Sequence, residues 1–304
     1  MIMEFWFNQW FGKWGWLIAL AIAVGVLVPI FVWARLKKHL TLWGSLLAGF
    51  FGIAYWMINP IFFAMLFAFF ISSSILTAYR KKDKKAVQDK FEKGGERDTS
   101  QVLANGLAGF IFAIGHLLIF VLGDSTTANI ILSNAFIFAF VAAIGTTNAD
   151  TWGTEIGILS QDQPFWILNL RKKVERGTSG GVSPKGTGAA FIGALIVAAI
   201  GLLIEILWKN PILASSTWQI YVFFTVTAVT GFIGALIDSF LGATIQGFFK
   251  CAVCGKGTEK KIHCKEHTIL QRGKEWFRND HVNFWASFGA GILTFGLSCF
   301  AFLI

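Results

Sequence analysis

Residues Gly145–Gly188 read GTTNADTWGTEIGILSQDQPFWILNLRKKVERGTSGGVSPKGTG, a polar interruption in a run of membrane-length apolar stretches. It holds two carboxylates (Asp150, Glu155), a basic run (Arg171, Lys172, Lys173, Arg176, Lys185) and a Gly/Thr/Ser cluster. Carboxylates beside phosphate-binding groups are what a bridging Mg²⁺ needs. The flanks decide the fold. Of 304 residues, 55% are hydrophobic, 16% aromatic and 14% charged, against about 25% charged in soluble domains. Apolar stretches recur at the roughly 17–25 residues a spanning helix requires. Eight are read: about Gly15–Trp33, Leu40–Ile58, Ile61–Thr77, Val102–Leu122, Asn129–Gly145, Thr187–Trp208, Ile220–Leu241 and Val282–Ile304. The expected architecture is an all-α polytopic membrane bundle of about eight helices, one membrane domain over residues 1–304. Only Asn59-Pro60 separates the second and third stretches, so a re-entrant pair competes there.

Lys and Arg set the orientation. The odd-numbered connections hold 24 of the 26 basic residues, and the even ones only Lys209. That places the odd connections in the cytoplasm and both termini outside, as in a multi-pass protein of the cell (inner) membrane. The net charge of +9 then follows from topology and does not point to nucleic acid. No basic n-region or small-residue cleavage site marks a signal peptide. The aromatic start (Phe5, Trp6, Phe7, Trp10, Phe11, Trp14, Trp16) suits an interfacial anchor or an aromatic belt.

These directions bring polar residues together. The fifth helix delivers Asn148, Asp150, Thr151 and Glu155 to the cytoplasmic boundary, and the seventh carries Asp238 and Gln246 toward it. The fourth and eighth begin there with Gln101/Asn105 and Asn279/Asp280/Asn283. A mid-helix carboxylate costs about 2.5–3.5 kcal/mol on insertion scales, so Asp238 is expected to face the bundle interior and a partner, either a cation or a neighbouring helix. The cluster Gly177-Thr178-Ser179-Gly180-Gly181-Val182-Ser183 precedes the sixth helix, where glycine amides and the helix dipole favour an anion. Lys172, Arg176 and Lys185 add charge for a triphosphate or lipid phosphate. The order Lys185-Gly186-Thr187 is not that of a Walker A loop.

The seventh connection carries a Cys/His insert over residues 250–278. Cys251 and Cys254 at CxxC spacing, with Cys264 and His267 at CxxH spacing, form a tetrahedral set typical of structural zinc, with His263 able to replace His267. His116 and Cys299 read as packing residues, and the charged run Arg80–Arg97 as a solvated helix end.

At these positions the chain resembles the integral membrane family of transmembrane protein 19 and the plant phytyl-phosphate kinase (domain of unknown function 92). The matching pieces run in the family's order over roughly residues 40–300: Gln101-Val-Leu-Ala-Asn105-Gly106, Asn148-Ala-Asp150-Thr151-Trp152 with Glu155-Ile-Gly157, Gly177–Ser183 with Gly186, Asp238-Ser-Phe-Leu-Gly242-Ala-Thr-Ile-Gln246, and Asn279-Asp280-His-Val-Asn283. The resemblance implies phosphoryl transfer from a nucleoside triphosphate, CTP in the plant enzyme, to a prenyl or phytyl monophosphate. On that reading Asp150, Glu155 and Asp238 hold Mg²⁺, and Asp280 joins them as a catalytic residue. Gly177, Thr178, Ser179, Gly180, Gly181 and Ser183 cradle nucleotide phosphates, countered by Lys172, Arg176 and Lys185. Gln101, Asn105, Asn148, Gln246, Asn279 and Asn283 contact substrate or nucleotide. The prenyl chain lies between helices four to eight, near Phe110 and Phe136. The Cys/His insert departs from the plant pattern and is expected to be silent in the chemistry. The rival readings are a transporter or translocator of an anionic phosphorylated lipid, and a scaffold whose zinc loop docks a partner.

Overall fold

The computed structural model describes residues 14–88, 90–93, 95–124, 126–207 and 217–303. Nine helices appear among them: α1 (Gly15–Leu36), α2 (Leu42–Ile58), α3 (Pro60–Ala78), α4 (Lys81–Gln88), α5 (Thr99–Leu122), α6 (Thr127–Gly157), α7 (Pro184–Leu207), α8 (Thr217–Thr244) and α9 (Asn279–Leu303). Seven are long and apolar enough to cross a membrane; α2, with 17 residues, is shorter. The hairpin of α2 and α3 turns at Asn59, whose side chain accepts from the Ile61 amide (3.1 Å). Pro60 opens α3, where its missing N–H leaves nothing unsatisfied. The Trp56 indole donates to the Ala19 carbonyl (3.0 Å), so the hairpin tip reaches the level of the start of α1. The interfacial anchor expected of Phe5–Phe11 lies outside the described residues. Trp14 and Trp16 are exposed.

Helix α6 is the axis. Of its most apolar window 72% is buried inside the protein, against 17% for α1, and it packs against α3, α5, α7, α8 and α9. Without a hydrophobic drive between helices in lipid, close approach depends on small residues. Gly145 meets Gly231, Gly193 meets Ala149, and Thr146 fills the space a side chain would need at Gly234. Toward the other end, rings close the interior: Tyr55 on Phe140 (5.0 Å), Phe62 on Phe140 (4.3 Å) and Phe138 on Phe223 (4.5 Å).

Two features differ from the sequence reading. Helix α6 does not stop near Gly145 but runs 31 residues to Gly157, about 46 Å at 1.5 Å per residue. Nothing in Thr146–Ile156 breaks a helix, and Gly153 sits against Gly186 and Ala190 of α7. The carboxylates therefore stand on a rigid helix, not in a loop. The connections are also not wholly irregular. Short strands build three small antiparallel sheets: β1 (Phe165–Trp166), β2 (Asn169–Lys173) and β3 (Gly181–Val182); β4 (Phe248–Lys250), β5 (Gly257–Thr258) and β8 (Ile269–Arg272); and β6 (Ile262–His263) with β7 (Glu266–His267).

The four basic connections meet as one polar cap. Arg35 pairs with Glu96 (2.9 Å), Lys90 with Glu175 (2.8 Å) and Arg278 with Glu92 (2.6 Å). Leu40 and Arg97 form a parallel bridge, and the Glu259 amide donates to the Lys90 carbonyl (2.9 Å). Gathering four connections at one end is what an alternating topology requires.

Candidate functional site

Under the cap lies a cavity of about 320 Å³. Its floor is where α6 and α8 run side by side. The carboxyl groups of Asp150 and Asp238 are within hydrogen-bonding reach of one another. Asp238 is 9% exposed, and its Oδ2 has no hydrogen-bond partner. Two apposed carboxylates repel unless a proton or a cation sits between them. A buried oxygen left bare costs about 1–3 kcal/mol, a cost that a cation between the two carboxyl groups would relieve.

A third carboxylate was not legible in the sequence. Glu259, from the Cys/His insert, is 5% exposed, and its charge acts on both Asp150 and Asp238. It accepts from Ser179 Oγ (2.6 Å) and the Glu92 amide (3.3 Å). Burial raises its carboxyl above the usual range, partly offset by the Ser179 hydrogen bond. The insert thus reaches the site, against the expectation that it is silent.

Facing the acids is the glycine-rich turn. Gly177 and Gly180 take φ of 80° and 83°, the left-handed region that favours glycine. At Gly180 a Cβ would meet the Ala243 backbone nitrogen at 2.8 Å. Ser183 Oγ accepts from the Gly186 amide (3.1 Å) and caps α7, with Pro184 opening the helix. Arg272 rivets the turn to α8: its guanidinium donates to the carbonyls of Ser179 (2.7 Å), Gly242 (2.8 Å) and Ala243 (2.5 Å). Those last two are carbonyls that the helix C-terminus leaves open.

Most of the residues singled out from sequence line this cavity: Asp150, Glu155, Asp238, Asp280, Gln101, Asn105, Arg176, Gly177–Gly181, Ser183, Gln246, Asn279 and Asn283. Asn283 donates to Asn105 (3.3 Å) and so joins α9 to α5. Gln101 forms a capping box with Asp98 at the start of α5. Asp280 is bound by Lys93 (2.6 Å), a cavity-lining cation that the sequence reading left in a solvated run.

Six expectations need correction. Glu155 was grouped with the cation ligands, yet its Oε2 is held by the fully buried Lys84 (2.7 Å) and its Oε1 by Thr77 (2.6 Å). Its charge is already matched. Asn148 is buried away from the cavity, donating to the Gly193 carbonyl (2.9 Å) and accepting from Ser72 (2.8 Å), and so pins α6 to α7 and α3. Lys172 lies on the exposed strand β2 and Lys185 on the outer face of α7, neither lining the cavity. Phe110 and Phe136 line neither cavity and do not face a common space: Phe110 packs on Phe51 of α2 (5.5 Å) and Phe136 on Phe295 of α9 (4.6 Å).

The sixth is His267. One ligand atom each from Cys251, Cys254, His263 and Cys264 falls within 4.8 Å of all the others. Strand pairing explains the exchange. His263 pairs with Glu266 and Ile262 with His267, and paired residues share a face while neighbours alternate. His267 therefore points away from the thiols. Cys264 and Lys265 occupy the two left-handed positions of the tight hairpin loop (φ 54° and 65°), a conformation non-glycine residues adopt at a cost of order 1–3 kcal/mol. Cys254 Sγ and Cys264 Sγ lie 3.5 and 3.3 Å from His263 Nδ1, close to the spacing of about 3.5 Å that bonds of 2.0–2.3 Å at tetrahedral angles give. Backbone hydrogen bonding from Cys254 brings the Cys251 thiol down to about 6. The cluster can hold a metal ion.

The profile of the family described as "Integral membrane protein DUF92" matches residues 25–291. The chain belongs to the DUF92 family. Among relatives of this DUF92 protein, Protein PGR of Arabidopsis thaliana is 34% identical over 219 residues, covering 67% of this chain and 74% of the relative. An uncharacterized membrane protein of Methanocaldococcus jannaschii is 30% identical over 142 residues, 46% of this chain and 52% of that one. Protein VTE6, chloroplastic, of Arabidopsis thaliana is 27% identical over 139 residues, 46% of this chain and 39% of that protein. No solved structure matches the DUF92 chain.

Proposed function

We propose that this DUF92 protein is a membrane phosphotransferase that moves the γ-phosphoryl group of a nucleoside triphosphate, CTP by resemblance, onto an isoprenoid monophosphate. The observation that carries the reading is the bare Asp238 Oδ2 beside Asp150, opposite a glycine-rich turn in the same cavity. The apposed carboxylates of Asp150 and Asp238 suit Mg²⁺ and are the residues that would hold it, with Glu259 adding negative charge from beside them. Bound there, the cation neutralises phosphate charge, which is most of what phosphoryl transfer asks of a protein. The turn Gly177–Ser183 and the α7 N-terminus receive nucleotide phosphates, and Arg176 at the rim counters their charge. Lys93, held by Asp280, and Asn105 with Asn283 orient the acceptor phosphate. Asn279, Gln101 and Gln246 complete the polar wall.

The soft donor set of three thiols and an imidazole suits structural Zn²⁺. It would fix the hairpin that carries Glu259 four residues before His263. The distribution of Lys and Arg supports a cavity on the cytoplasmic side of the inner membrane, with both termini outside.

The test uses purified protein with Mg²⁺, a panel of nucleoside triphosphates and prenyl monophosphates, with products read by mass spectrometry. The reading expects a prenyl diphosphate that depends on nucleotide and is lost in Asp150→Asn and Asp238→Asn. Protein-dependent flux of prenyl phosphate in nucleotide-free liposomes, with no diphosphate formed, would instead establish a translocator.

A further inference from the structure

The polar cavity shares part of its wall with an apolar one. Two of its wall residues, Arg97 and Asn105, also line a second cavity of about 90 Å³ between α1, α2, α3 and α5. Apart from this shared end and Ser45, its walls are apolar, including Leu27 and Phe31 of α1, Gly49 of α2 and Phe67 of α3. We infer that this groove holds the hydrocarbon chain of the acceptor, a single-chain isoprenoid monophosphate whose phosphate rests at Arg97 and Asn105. The identity of the head group rests on the phosphotransferase reading above; the groove itself does not.

Two observations favour that occupant over bulk lipid. The first is charge. Arg97 sits over the Phe69 ring (5.6 Å) at the shared end and forms no ion pair among the described residues. The carboxylate nearest in effect, Glu155, is already held by Lys84. An uncompensated guanidinium where an apolar groove meets a phosphate-binding cavity matches a ligand with an anionic head and a greasy tail. The second is position: the groove ends at Arg97 and Asn105, the two residues that also line the polar cavity.

The groove also replaces the site expected from sequence. Between α6 and α9 the space near Phe136 is taken by Phe295 (4.6 Å), while Phe110 turns toward α2 and packs on Phe51, a wall residue of the groove. At Gly49, by contrast, an added Cβ would meet nothing within 4 Å. The position can be filled without moving the backbone.

Two arms test the inference. In the first, the full chain in detergent, without nucleotide, is photolabelled with a prenyl monophosphate carrying a benzophenone at its tail, and labelled peptides are mapped by mass spectrometry. Label is expected on α1, α2 and α3 and should be displaced by unmodified twenty-carbon prenyl monophosphate. Label on α8 and α9, or label displaced equally well by phosphatidic acid, would overturn the groove. In the second arm, Gly49→Phe is compared with Gly289→Phe, an equally open glycine on α9. The ratio of kcat/KM for twenty-carbon over five-carbon monophosphate should fall about tenfold or more in the first variant only; an unchanged ratio overturns the proposal. Labelling of the groove without any turnover would sink the phosphotransferase reading and leave the groove standing. Turnover with label elsewhere does the reverse.

Discussion

The cavity floor and the Cys/His hairpin are both sets of ligand atoms, and they reach order by opposite routes. Asp150 and Asp238 stand on membrane-length helices α6 and α8, where glycines and alanines let the backbones touch and the bilayer holds the helices in register. The thiols stand in the turns between strands of two to four residues, with scarcely any apolar core of their own, the situation in which a bound metal can supply folding energy. One set is oxygen and hard, the other sulfur and soft, so the two would suit different ions. Glu259 belongs in sequence to the hairpin and in space to the floor. What the contrast teaches is that a cavity floored by rigid membrane helices can take a carboxylate from a loop, provided something fixes the loop.

Substitutions can separate the two regions. The largest effect is expected at the floor. Asp238→Asn should lower turnover by about a thousandfold, while metal analysis still finds the thiol-bound ion. At the hairpin, His263→Ala should lose that ion and lower the melting temperature, whereas His267→Ala should keep both; loss in His267→Ala alone would return the sequence-based ligand set. Glu259→Gln is the link between them. It should weaken divalent-cation binding in the cavity about tenfold, leaving the hairpin metal in place. Glu155→Gln should stay near wild type in cation affinity and instead lose stability by about 3–5 kcal/mol, since it strips the buried Lys84 of its partner; chemical denaturation reads that difference. Lys172→Ala, exposed on β2, should change turnover less than twofold, consistent with the small energies of exposed charges.

Much of this was legible from residues alone. Apolar length marked the membrane helices, and the Lys and Arg count grouped the connections that the structure joins into one cap. Asp238 stood out because a carboxylate inside an apolar helix needs a reason. The turn Gly177–Ser183 stood out because such composition exposes amides. Register and distance were not legible. Whether His263 or His267 faces the thiols depends on a one-residue alternation in a hairpin, which spacing cannot distinguish. Glu155 and Asp238 look equally suited to a cation until Lys84 is seen to enter from α4. Glu259 sits among Lys256, Lys260 and Lys261 and gave no signal, because only the fold carries it to α8. Helix α6 was cut short by its polar residues, since apolar length was the criterion and the helix continues through its polar end.

The central claim is that α6, α8 and the insert form one cation site at the base of one cavity. Electron paramagnetic resonance of Mn²⁺ titrated into the full-length protein, its thiol cluster loaded, tests it most directly. The account predicts a bound Mn²⁺ signal that vanishes in Asp238→Asn, weakens in Glu259→Gln and persists in Glu155→Gln. Unaltered Mn²⁺ binding by folded Asp238→Asn would contradict it.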